Sequence, residues 1–274
     1  MGQKLTWMSH EEVREEVRKY VNSGIDFVNY AVTVHRLNAL QYLVFSPRVQ
    51  RAIVEEAHLA GLPVSAFYPH TNEAVVLALT SEVDLLHVGL VDMDISAETV
   101  AMITQRQIPC ALFLHACKAL EWARQRALMD LEKLDRNNRV LIDAGATVLP
   151  KGGQVYSADT MNSSEWKDSI PPEGTPLISD SHFNWLLAMQ DKGVKPMVGL
   201  MGATRNIARA YKVDKDLGTL ERGKLADLVV LDKNPLERAE NYRSISLVMK
   251  EGKLVDRGAL PTQRLITTPS VEAN

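Results

Sequence analysis

The chain has 274 residues, with 31 Lys+Arg against 34 Asp+Glu, 46% apolar residues, 24% charged residues and two Cys. That length suits one large domain, or one with a small appendage, and the near-average composition excludes disordered, collagen-like and disulfide-scaffold classes. A net charge of −3 with no basic run leaves no electrostatic footprint for nucleic acid or an anionic membrane. No stretch approaches the roughly eighteen apolar residues of a membrane-spanning helix. The polar start MGQKLTWMSHEEVREEV lacks the apolar core of a signal peptide. Cys110 and Cys117 fit neither a zinc knuckle nor a redox CxxC, so the expectation is a reduced, cytoplasmic protein.

In chain order, a first helix opens at Ser9, with Glu12 completing a capping box, and runs to about Asn22. IDFVNYAVTV (25–34) reads as a buried strand. Ser46-Pro47 places a cap and a proline at the first helical turn, and VQRAIVEEAHLAG continues at helical period until Gly61. LPVSAF (62–67) is a second strand, TNEAVVLALTS (71–81) a helix and VDLLHVGL (83–90) a third strand. SAETVAMITQRQ (96–107) is helical, PCALFL (109–114) a fourth strand, 117–144 a long charged helix and ATVLP (146–150) a fifth strand. Apolar strands alternating with helices predict parallel βα units covered on both faces, in an open doubly wound sheet or an arc of a (β/α)8 barrel. No GxGxxG or GxxxxGK[ST] follows a strand, so the nucleotide-binding reading has no support.

Residues 151–180 break this rhythm with Gly, Pro, Ser and Asp and read as a long loop or insertion. Helical pattern returns at about 181–192 and from Pro196 to about Lys212. Met189, Met197, Met201 and Met249 are spaced as core residues. Beyond them GTLERGKLADLVVLDKNPLE and ISLVMKEGKLVDRG read as short strands with glycine turns. The expected organisation is a barrel-like unit over 1–212, a small β unit over 213–258 and a poorly ordered tail over 259–274.

ATRNIARAYKVDKDLGTLERGKLADLVVLDKNPLE followed by VMKEGKLVDRG resembles the closing segment of metal-dependent amidohydrolases, in particular the imidazolonepropionase, prolidase and arginine-carboxypeptidase branch. VNSGIDFV, FSPRVQRAIVEEAHLAGLPVSA and VDMDISAETVAMITQRQIP are similar to that branch in order and spacing. The resemblance implies an α/β fold, an incomplete amidohydrolase-like (β/α) barrel holding family strands four to eight with a remnant β-sandwich. It also implies altered metal ligands. The family's first-strand His-x-His pair has no counterpart here. The strand-four Lys aligns with Asn29, the strand-five His with Phe67, the strand-six His with Val88 and the strand-eight Asp with the neighbourhood of Gly153. A binuclear centre is therefore not expected.

The residues themselves offer a weaker alternative. His35, His70, His87 and His115 each fall at or just past a strand end, where parallel βα arrays keep their active sites. Three of them could hold one Zn ion with an open position for water, and Asp180 could serve as general base or orient a ligand. None lies in an HxH or HExxH spacing, and strand-end histidines often only bond loop backbone. His182 follows the long loop, while His10 and His58 read as structural. Lys151 either binds a substrate carboxylate, acts as a nucleophile or, most simply, is a solvated loop lysine. No GxSxG surrounds Ser157, Ser163, Ser164 or Ser179, so a serine-hydrolase reading has no support. Cys117 opens a helix, although a buried structural thiol is the simpler reading.

Two functions compete. One is a hydrolase of amide-type C–N bonds with a reduced or rewired site at the C-terminal rim, with Lys151 and Asp180 as catalytic groups. The other is a catalytically degenerate homologue acting as a subunit, scaffold or small-molecule binder. Either would meet a small-molecule substrate or ligand. An open barrel would also expose strand edges that a second copy or a complementary chain should cover.

Overall fold

The computed structural model describes residues 5, 7–32, 45–67, 69–88, 93–114, 131–151 and 181–260. Helix α1 (His10–Val21) begins with the expected capping box: the Ser9 side chain accepts from Glu12 N, and Glu12 accepts from Ser9 N at 2.7 Å. The same device recurs. Ser46 caps α2 (Pro47–Leu59), Thr71 caps α3 (Asn72–Thr80) and Ser96 caps α4 (Ala97–Gln105). Each cap satisfies an amide that the first helical turn leaves unpaired. Helix α1 is clamped to α2 by Glu56, a buried carboxylate that accepts from both Arg14 and Arg18.

Five strands, β1 (Val28–Ala31), β2 (Val64–Phe67), β3 (Leu85–Leu86), β4 (Cys110–Leu112) and β5 (Val148–Pro150), form one parallel sheet in chain order. All five sequence-predicted strands are present, each shorter than its apolar run. Helix α5 (Leu131–Asp143) precedes β5; residues 117–130 of the expected long helix lie outside the described residues. After α6 (Ser181–Asp191), the helix expected from Pro196 to Lys212 is in fact α7 (Pro196–Met201), a π turn over Gly202–Asn206 and α8 (Ile207–Ala210). Gly202 sits where a side chain would meet the Val148 carbonyl, which lets this turn lie against β5. Met197 is exposed, contrary to its expected core role.

The two faces of the sheet differ. Val28, Tyr30, Val64, Ala66, Leu86, Val88, Cys110, Leu112 and Val148 pack with α1–α6 in the main apolar core. Alternation then turns the intervening residues to the inner face. There Leu85, Ala111 and Leu149 pack on Ala210, Ile207 and Tyr211, which close the lower end of the arc. Asn29 and Ala31, on the outermost strand β1, are exposed on that same inner face.

The chain continues into a three-stranded antiparallel sheet, β6 (Leu228–Leu231), β7 (Ile245–Lys250) and β8 (Lys253–Leu254). The GTLERGKLADL segment owes its form to two residues. Gly218 takes φ +91° with the Ala208 methyl so close that no side chain fits. Lys224 donates to the Asp214 carbonyl and to Thr219 Oγ1, both at 2.6 Å. Among the described residues no helix is long and apolar enough to cross a membrane.

Candidate active site at the strand ends

Among the described residues, the upper, C-terminal end of the inner face brings together the Lys151 amine, the His87 imidazole and the phenyl rings of Phe67 and Phe113. Lys151 follows β5, yet its side chain lies across the mouth of the arc. Its Nζ is 5.1 Å from the centre of the Phe67 ring on β2 and 5.4 Å from that of Phe113 after β4. The Phe67 ring stands edge-on to the imidazole of His87, which follows β3, with ring centres 5.1 Å apart. The supporting backbone is fixed from outside. Asn138 of α5 donates to the Phe113 carbonyl at 3.0 Å, and the buried Trp185 of α6 donates to the Leu112 carbonyl at 3.0 Å.

Burial decides the charge states here. Lys151 is 8% exposed, which overturns the reading of a solvated loop lysine. Loss of water disfavours the ammonium and lowers its pKa to about 7. Desolvation, and then the Lys151 charge, lowers the His87 pKa to about 3, so His87 is neutral at physiological pH. A lysine that titrates near neutrality in a rim position can exchange protons in either direction, which is what general acid–base chemistry requires. Its neutral form is also a nucleophile.

Of the other expected site residues, His70 follows β2 on the same rim and is partly buried. His35, His115 and Asp180, like Cys117 and the four serines, lie outside the described residues. His182 is exposed at the start of α6. His58 is structural as expected: it pairs with Asp84 at 2.7 Å, and Asp84 also accepts from Val64 N. His10 accepts from Arg14 at 3.1 Å.

The ligand positions implied by the resemblance separate on this geometry. Asn29 and Phe67 face inward. Val88 does not, because it is fully buried in the sheet–helix core, and the inward residue at the end of β3 is its neighbour His87. A metal ion does not fit what the described residues offer. Among them no three His, Cys, Asp or Glu converge, and His87 is flanked by a phenyl ring and an amine that becomes cationic. Two features escaped the sequence reading. Phe113 was not singled out, and Ser65, on the inner face below Phe67, is 1% exposed with no hydrogen-bond partner for Oγ among the described residues. Period-two alternation along LPVSAF would have flagged both Ser65 and Phe67 as inward.

Comparisons with known proteins bear on the fold that carries these residues. The amidohydrolase family profile matches residues 157–255. The solved structure of molinate hydrolase superposes with a TM-score of 0.84 at 29% identity, covering 100% of this chain and 60% of that one. Phenylurea hydrolase B gives 0.79 at 30% identity, covering 96% and 60%. Imidazolonepropionase of Shouchella clausii is 31% identical over 127 residues, 45% of this chain and 25% of that enzyme. The chain thus spans 60% of each of the two solved structures and 25% of imidazolonepropionase. The parallel arc, the closing GKLADL segment and these matches lead to one conclusion: the chain is similar to the amidohydrolase superfamily in fold and, over residues 157–255, in its match to the family model.

Proposed function

We propose that the protein is a hydrolase of amide-type C–N bonds, working at the C-terminal rim of the five-stranded arc with Lys151 as its proton-transfer group. The observation that carries this reading is the reach of Lys151 across the mouth of the arc, into the aromatic ring pair and beside His87. As the free amine, Lys151 takes a proton from an attacking water while the water oxygen bonds to the carbonyl carbon. The resulting ammonium returns that proton to the departing nitrogen as the C–N bond breaks. His87, neutral, offers a hydrogen bond that orients the substrate or the water. The relatives named for hydrolysis of molinate and of phenylureas suggest an uncharged substrate carrying nitrogen on its carbonyl carbon, and the phenyl walls suit such a molecule.

His70, on the same rim, belongs to the same proposal, as do the sequence candidates Asp180, His35 and His115, which lie outside the described residues. A partner, either a second copy or a complementary chain, would cover the open inner face at Asn29 and Ala31. Release of amine from a series of anilides, ureas and carbamates tests the reading. Turnover should appear with at least one series and fall about a hundredfold or more in Lys151→Met. His87→Ala should fall less. Undiminished turnover in Lys151→Met would remove the proposal. The alternative, a degenerate small-molecule binder, is favoured by one observation, the phenyl ring of Phe67 at an inward ligand position. It predicts saturable binding with no amine released.

A further inference from the structure

The Lys151 amine sits in a setting suited to a second chemistry that does not depend on hydrolysis. It is buried, it stands over two phenyl rings contributed by β2 and the end of β4, and it lies near an imidazole. Rings on strands this far apart in the sequence converge on one amine only because Lys151 extends across the arc. His87 Nδ1 supplies an independent observation: it is buried and has no hydrogen-bond partner among the described residues. A buried polar atom left unpaired costs free energy, so a ligand atom that bonds to it gains correspondingly.

We propose that Lys151 is a covalent capture site for small, uncharged carbonyl compounds. The Nζ lone pair bonds to the carbonyl carbon, and the C=O π electrons move to oxygen, which takes up a proton to give a carbinolamine. The carbinolamine hydroxyl lies in the region of His87, which can hydrogen-bond it. The hydroxyl then leaves as water while the nitrogen loses its second proton, giving an imine. The net change is amine plus carbonyl to imine plus water, with no oxidant or reductant. The aromatic walls favour an uncharged carbonyl over an anionic one, which would lose hydration against phenyl rings without compensation. Burial also keeps an appreciable share of the amine unprotonated near neutrality, as nucleophilic lysines require.

The test uses the whole chain at neutral pH with propanal and sodium cyanoborohydride, which reduces an imine to a stable alkylamine, followed by peptide mass mapping. Lys151 should be alkylated about tenfold or more faster than the exposed Lys19 and Lys250. Glyoxylate, an anionic carbonyl, should label it more slowly than propanal. Labelling of Lys151 no faster than the exposed lysines would overturn the proposal, and equal labelling by glyoxylate would overturn its restriction to uncharged compounds. Lys151→Arg should lose the fast site. Phe67→Leu keeps the amine and removes one ring, and it should slow labelling of Lys151 severalfold. Unchanged labelling there would show that the ring pair has no part in the reaction. Amine release, measured on the same preparation, separates this inference from the hydrolase reading. Fast labelling without turnover leaves capture standing and removes the hydrolase. Turnover with Lys151 unlabelled does the reverse.

Discussion

Replacing Lys151 by Met should make the protein more stable, and by an amount that depends on pH. The side chain is 8% exposed, and burial holds its pKa at about 7 against 10.5 for the ordinary lysine. Between those two values the unfolded chain carries a proton that the folded chain has released, so stability rises with pH across that window. Below about pH 7 both states are protonated and the full cost of burying the charge is present. Near neutrality that cost is about 4 kcal/mol, falling to about 1 kcal/mol by pH ~9.5. The two phenyl faces return about 1 kcal/mol to the cation. Methionine has a similar length and no charge, so Lys151→Met should gain about 3 kcal/mol near pH 7 and about 1 kcal/mol or less near pH 9.5. Urea denaturation of both proteins at the two pH values measures this, and taking the difference between them cancels the other titrating groups. A variant less stable at both pH values, or a gain that does not shrink with pH, would refute the argument that burial sets the charge of Lys151.

Three further outcomes follow from packing and ligand chemistry. Trp185→Phe removes the donor to the Leu112 carbonyl from a site 1% exposed and should cost about 1–3 kcal/mol by denaturant midpoint. Gly202→Ala places a methyl 2.8 Å from the Val148 carbonyl oxygen and 3.2 Å from the Trp185 ring, so a loss of about 1–3 kcal/mol is expected by thermal unfolding; a neutral result would mean that the π turn moves freely away from β5. Elemental analysis after dialysis should find no tightly held pair of metal ions per chain, given an inward phenyl at Phe67 and a lysine beside His87. Two retained ions would contradict that donor-set argument.

The arc was legible in the sequence because its strands are short apolar runs, those after β1 buried on nearly every residue, and because four helices announce themselves with Ser or Thr caps. Ser9 with Glu12 and Ser46 with Pro47 needed no tertiary information to read. The site was less legible for a specific reason. Whether His87 or Val88 faces inward is a question of phase, and in a run as apolar as VDLLHVGL the pattern is uniform on both sides, so nothing local fixes which residues point to the helices. The register Ala66↔Leu86 and the contact of His87 with Phe67 fix it in the structure. Lys151 was hidden differently. Followed by Gly152 and Gly153, it looks like a loop lysine, and its burial comes from rings 84 and 38 positions earlier in the chain, at Phe67 and Phe113. The closing GKLADL segment was legible throughout, since Gly218 and Lys224 act within ten residues of their partners.

The most direct test of the central claim is the pH dependence of amine release, measured for the wild type and for Lys151→Met on the best substrate of the anilide, urea and carbamate series. If Lys151 exchanges the proton, the wild-type rate should rise through an inflection near pH 7, because the free amine is the form that accepts the proton of water. The variant, although folded and more stable, should lose both the rate and the inflection. A variant that retains the wild-type rate with the same inflection would contradict the assignment of Lys151 as the proton-transfer group of a rim-centred hydrolase.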